Sequence, residues 1–284
     1  MFKITLLLLL STTYIFSNIN VIVSILPQQT FLKAIGGDKV KIALMVQPGN
    51  SPHTYEPKPS QMVDITKADL YFAIDVEFEH VWLPKFQNLN TQMKVVNVTN
   101  GITKMQMLKE ANKEQEHNTH AHEGEDPHVW TAPTNVKIIA ENIYNALAKA
   151  DTPNAPYYKK NLEIFLVSLT NTDKQIKEIL STLKDSRSFM VFHPSWGYFA
   201  KAYNLKQIAV EVEGKSPKPK ALVALIKTAK AEKVNAIFTQ PEFSDSAAKI
   251  IANELHISVV KVSPMSADWS KNLIGIAKTI AGKQ

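Results

Sequence analysis

The sequence contains no cysteine among its 284 residues. This absence excludes disulfide bonds, thiolate metal ligands and a lipid attached through cysteine within these residues. Arginine is almost as scarce, since it occurs only at Arg187. Any metal bound by these residues must therefore be held without thiolate ligands.

The formal net charge of +6 invites comparison with proteins that bind nucleic acids or anionic membranes. The lysines, however, are spread along predicted helices such as 218–233, without an arginine run or interleaved aromatic residues. This pattern is typical of solvated helix faces. We therefore expect no nucleic-acid partner.

The apolar run at 4–10 is too short to span a membrane. It follows Lys3 and is itself followed by small and polar residues, which is the pattern of a secretory signal peptide. We predict a signal peptide at 1–18, cleaved near Ser17. The mature protein is then expected in a periplasm, without stable membrane insertion.

Strand and helix patterns alternate along most of the chain. Short runs rich in β-branched residues, such as 20–26 and 40–46, are each followed by a helical pattern, which predicts a mainly parallel sheet covered on both faces. The longest helical pattern, at 155–183, would form a rod of about 43 Å at about 1.5 Å per residue, enough to span two lobes.

We therefore predict an α/β fold with two lobes, each a mainly parallel four-stranded sheet flanked by helices. The predicted divisions are an N-terminal lobe at 19–133, linking helices at 134–185 and a C-terminal lobe at 186–284. A polar, His-rich loop at 112–124 belongs to the first lobe.

The histidines are unevenly distributed, and four of the eight fall within a dozen residues, namely His117, His120, His122 and His128. Imidazole suits zinc, copper, nickel and iron as a ligand, so this clustering favours metal handling. A solvated polar loop is the alternative interpretation of the same stretch.

Three histidines stand beside prolines, at the ends of predicted strands or in turns: His53, His128 and His193. In open parallel sheets ligands collect beyond the carboxyl ends of the strands, and a neighbouring proline lowers the cost of ordering a ligand. Each histidine alone is better explained as structural. Together they predict a zinc site of three imidazoles with one open position.

Four motifs then resemble, in the same order, the signatures of the zinc/manganese substrate-binding proteins of bacterial ABC importers, and most closely the ZnuA-type zinc binders. They are the stretches 49–57 (GNSPHTYEP), 126–130 (DPHVW), 193–199 (HPSWGYF) and 240–244 (QPEFS). The resemblance extends from about Asn20 to the C-terminus. It implies two α/β lobes joined by one long rigid helix, with the metal between the lobes.

The resemblance also implies the ligands. Carried over by position, His53, His128 and His193 bind the metal, and the accessory His-rich loop contributes His117, His120 and His122. Glu242 would lie near the site without being a standard ligand. Many members of the family have an acidic ligand near the end of the chain, where this sequence has Ser263 and Ser266 instead. The possible fourth ligand is then a water, Asp268 or a glutamate.

The predicted function is capture of Zn²⁺, as transported ligand, for a membrane permease and its ATPase, by a protein expected to be monomeric. A manganese importer component is the alternative within this class. A zinc hydrolase is a second class, although Glu56 and Glu242 are the only evident bases and no His-Glu-x-x-His motif occurs. A third class, metal storage by the His-rich loop alone, would make His53 and His193 dispensable.

Overall fold

The computed structural model describes residues 18–107, 124–183, 186–211 and 215–283. The predicted signal peptide and the predicted loop histidines His117, His120 and His122 lie outside these ranges. Across the described residues, none of the helices combines the length and hydrophobicity needed to cross a bilayer.

The N-terminal lobe is built on a parallel sheet of strands β1 to β4, with bounds Ile19–Val23, Val40–Leu44, Leu70–Ala73 and Lys94–Asn97. The strand order is β2-β1-β3-β4. Helices α1 to α3 connect the strands, with bounds Leu26–Gly36, Pro59–Thr66 and Glu77–Leu89.

The C-terminal lobe repeats this plan with strands β5 to β8, at Ser188–Val191, Lys206–Ala209, Ile237–Thr239 and Val259–Lys261. The sheet is again parallel, in the order β6-β5-β7-β8. Its helices α6 to α9 have the bounds Gly197–Ala202, Pro219–Ala231, Ser246–Leu255 and Trp269–Ile280. The prediction of two lobes with parallel four-stranded sheets is confirmed.

Two helices lie between the lobes in sequence, α4 at Pro133–Ala150 and α5 at Ala155–Leu180. The predicted long helix ends three residues early, and its 26 residues span about 39 Å at about 1.5 Å per residue. It packs against α1 of the first lobe and α9 of the second. The prediction of one long helix joining the lobes is therefore confirmed.

One hydrophobic core extends through both lobes, and the second lobe also has a smaller buried cluster of its own, which includes Met190 and Ile251. One cluster of buried residues includes Val23 and Phe72 of the first lobe, Leu169 of α5 and Leu273 of α9. Hydrogen bonds also join the lobes: the Trp130 indole N–H donates to the carbonyl oxygen of Pro264 at 2.7 Å. Strong packing of this kind holds the edges of the cleft in fixed positions.

Candidate metal centre

His53 lies in the loop between β2 and α2, which the sequence keeps irregular with three prolines and Gly49 at φ 82°. The Ser51 hydroxyl accepts a hydrogen bond from the His53 backbone N–H at 3.2 Å. The ring Nδ1 of His53 lies 2.9 Å from the carboxylate of Glu77, the first residue of α3. One end of α3 thus orients this imidazole.

His128 precedes a short 3-10 helix at Val129–Thr131 and is almost wholly buried. One carboxylate oxygen of Asp126 accepts from both the backbone N–H of His128, at 2.9 Å, and its ring Nδ1, at 2.8 Å. Burial lowers the pKa of His128, although the Asp126 carboxylate acts in the opposite direction. The ring is therefore kept neutral, as metal binding requires.

His193 follows β5 by two residues and is fixed by Gln240. The Gln240 side chain accepts from the His193 backbone N–H at 3.2 Å and donates to its carbonyl oxygen at 2.7 Å. The ring Nδ1 lies 2.8 Å from Glu211, and Phe243 stacks on the ring at 5.3 Å between centroids. The other nitrogen, Nε2, is buried and has no hydrogen-bond partner among the residues that the structure describes.

The structure brings these three predicted ligands together. Their ring centroids are 5.1, 5.5 and 6.4 Å apart, and one ligand atom from each lies within 4.8 Å of the others. Tetrahedral zinc with Zn–N distances of about 2.0 Å needs nitrogens about 3.3 Å apart. Small side-chain movements would therefore complete the site, and the unpartnered Nε2 of His193 fits a metal ligand.

Each imidazole has its own carboxylate on Nδ1: Glu77, Asp126 and Glu211. A carboxylate at Nδ1 holds the proton there, makes Nε2 the metal-binding nitrogen and fixes the ring orientation. Sequence reasoning missed these partners. Asp126 was detectable, because it stands two residues before His128. Glu77 and Glu211 carry no local signal, since they are 24 and 18 residues from their histidines.

The remaining predicted residues lie in different places. Glu242 lines the cavity that contains the three histidines, as the resemblance implied. Asp268 is exposed just before α9 and is not among the residues that line this cavity or form the histidine cluster. The structure therefore does not bring Asp268 to the site, and a fourth ligand from this residue stays a prediction. His80 and His256 are both exposed.

Fold and site together define a two-lobed protein that can hold a metal ion through imidazoles at the interlobe cleft. A family model described as the zinc-uptake complex component A, periplasmic (ZnuA), matches residues 21–281. The chain belongs to this ZnuA family.

Individual relatives agree with the family match. The high-affinity zinc uptake system protein ZnuA of Bacillus subtilis is 30% identical over 250 residues, covering 84% of this chain and 75% of that protein. The zinc-binding protein AdcA of Streptococcus pyogenes is 28% identical over 270 residues, covering 90% of this chain. The chain spans about half of AdcA, 52% of its length.

Solved structures extend the comparison to the fold. A crystal structure of ZnuA is 40% identical with a TM-score of 0.85, and the match covers 94% of this chain and 99% of that one. A zinc-bound ZnuA mutant lacking residues 138–173 of its own sequence is also 40% identical, with a TM-score of 0.83 and coverage of 93% and 97%.

Proposed function

We propose that this protein captures Zn²⁺ outside the cytoplasmic membrane and delivers it to an ABC-type permease. The proposal includes export to a periplasm, action as a monomer, and a membrane subunit with its ATPase as the partners. The family and the names of its zinc-binding relatives support it. The observation that carries it is the cluster of His53, His128 and His193 in the interlobe cleft.

The ligand atoms favour zinc over manganese. Within the described part of the chain, the cluster contains three imidazoles and no carboxylate. Manganese prefers oxygen ligands, whereas imidazole suits zinc. The carboxylates of Glu77, Asp126 and Glu211 instead contact the Nδ1 atoms of the three rings. There they increase the basicity of the imidazoles.

Transport fits the site better than hydrolysis. The cavity containing the histidines has a volume of about 20 Å³, roughly the space for one water molecule. A hydrolase needs room for a substrate and a base beside the metal. Metal storage by the His-rich loop alone would not explain why His53, His128 and His193 are each oriented by a carboxylate.

For His117, His120 and His122 we propose an accessory role in collecting zinc or sensing its level, since the cluster of His53, His128 and His193 already supplies a preorganised site. Deletion of residues 117–122 should leave one tight site. A related ZnuA lacking an internal segment was crystallised with zinc bound. Loss of most of the affinity in the deletion variant would contradict an accessory role.

The test is a competitive zinc and manganese titration of metal-stripped protein, with the variants His193→Ala and His80→Ala. His80 is exposed on α3 and serves as the matched control. We expect one tight, zinc-preferring site in the wild type and in His80→Ala. His193→Ala should lose more than the roughly 100-fold typical of losing an outer partner. Unchanged affinity in His193→Ala would refute the proposal.

Acidification provides a second test, because the imidazole nitrogens that bind zinc also bind protons. Affinity should weaken as the pH falls, because protons then compete with zinc for the imidazole nitrogens. The same titration at pH 7.5 and 5.5 measures the effect. Equal affinities at the two values would argue against three histidine ligands.

A further inference from the structure

Two cavities follow one another in the cleft between the lobes. The inner one, of about 20 Å³, contains the metal centre, and the outer one has about 300 Å³. Residues 46–50 line the outer cavity, and the next residues, 51–53, line the inner one. Glu242 and Met265 line both cavities. These two side chains therefore mark the boundary.

The volumes decide where a zinc ion must lose its water. The outer cavity, at about 300 Å³, is roughly fifteen times larger than the inner one, at about 20 Å³, so it has room for many waters. A cation with a full hydration shell fits there. The inner cavity holds the equivalent of about one water. Most of the shell must therefore be removed at the boundary between the two.

Glu242 has the chemistry for this exchange. Of the described residues lining the two cavities, it alone carries a carboxylate. Among the described residues, no hydrogen bond or ion pair engages that carboxylate. Carboxylate oxygens are good zinc ligands, and in the outer cavity the negative charge of Glu242 offsets the positive charge of Lys261, which would otherwise repel a cation. The neighbouring Phe243 stacks on His193, which places Glu242 one residue from the wall of the metal centre.

We propose that Glu242 is the access residue of the metal centre. Its carboxylate oxygen displaces water from the incoming hydrated zinc, and the water leaves into the outer cavity. The imidazoles then displace the carboxylate, so that Glu242 is absent from the final ligand set. This inference rests on the proposed function. Glu242 then determines how fast zinc is captured, but not the final affinity of the protein for zinc.

Stopped-flow kinetics with a fluorescent zinc chelator test the assignment. The association and dissociation rate constants, kon and koff, are measured for wild type, Glu242→Gln and Glu254→Gln. Glu254 is the matched control, since it lies on α8 of the same lobe, 56% exposed and away from both cavities. We expect Glu242→Gln to lower kon about tenfold, within the range seen for charges that line clefts, and to lower koff by the same factor, because the affinity stays unchanged. Glu254→Gln should resemble the wild type.

Met265→Ala supplies a second variant, because removing its side chain widens the boundary and should raise both rate constants. An unchanged kon in Glu242→Gln would overturn the proposal, and so would a faster koff, which would make Glu242 a ligand. His193→Ala separates a failure of the proposed zinc-capture function from a failure of the access role of Glu242. If it binds zinc as tightly as wild type, the proposed function fails. If the tight site is present but Glu242→Gln leaves kon unchanged, only the access role fails.

Discussion

The two lobes have the same strand order, but Glu79 of the first lobe and Glu211 of the second use their carboxylates differently. In the first lobe Glu79 accepts hydrogen bonds from the Ser24 hydroxyl and from two backbone N–H groups after β3. In the second lobe the carboxylate of Glu211 lies against His193. Glu79 thus stabilises the backbone at the end of β3, whereas Glu211 orients the metal ligand His193.

The ligands also come from non-equivalent positions. His53 lies in the loop after the edge strand β2, whereas His193 follows β5, which corresponds to β1. The side chains of His53 and Glu77 are 20% and 37% exposed, but those of His193 and Glu211 are both 10% exposed. The comparison teaches that repeating a fold does not repeat its site, because function depends on particular side chains placed on the scaffold.

The largest expected effect concerns the buried acid of the first lobe. Burial raises the pKa of Glu79 to about 7, despite its hydrogen bonds. The folded state therefore holds this proton more tightly than the unfolded state. The resulting stabilisation is complete below about pH 4.3, and rising pH removes it through about pH 7. At about 1.36 kcal/mol per pKa unit, the loss amounts to about 3 kcal/mol.

Glu79→Gln should abolish this dependence, because glutamine does not titrate. Urea unfolding of metal-free protein at pH 5 and pH 8 measures it. Relative to wild type, the variant should gain stability as the pH rises. Glu254→Gln, which alters an exposed carboxylate, should follow the wild type. Parallel pH profiles for Glu79→Gln and wild type would contradict the assignment.

The second prediction compares the more buried partner, Glu211 of His193, with the more exposed partner, Glu77 of His53. Removing an outer carboxylate partner typically costs 10–100-fold in metal affinity. Glu211→Gln should approach about 100-fold, because electrostatic interactions are stronger in a buried pair, while Glu77→Gln should stay near about tenfold, because solvent screens it. Competitive zinc titration gives both values. Equal losses would show that burial does not separate the two pairs.

A smaller effect is expected where Gly197 of α6 lies against Asp126, the carboxylate partner of His128. A Cβ added at Gly197 would lie 2.6 Å from the Asp126 carboxylate, so Gly197→Ala must displace this carboxylate. We expect zinc affinity to fall about tenfold, at the lower end of the range for partner loss. Gly275→Ala is the control, since a Cβ there meets nothing within 4 Å. Wild-type affinity in Gly197→Ala would show that Asp126 tolerates the shift.

Much of the fold was predictable from local patterns. The β-branched runs predicted β1 and β2, and the spacing of Leu162, Leu169 and Ile176 predicted the buried face of α5. The end of α5 was placed three residues late because Leu183 continues the apolar pattern after the helix has ended at Leu180. Local periodicity does not determine where a helix stops.

The sequence by itself determined the alternation of strands and helices, the ligand chemistry and the histidines set beside prolines, because these depend on residue type and near neighbours. Tertiary structure decided which carboxylate serves which imidazole, where the cleft narrows and that Asp268 lies outside the cluster. These features join residues far apart in the chain. Only packing of the two lobes against α5 fixes such distances, and no local pattern records them.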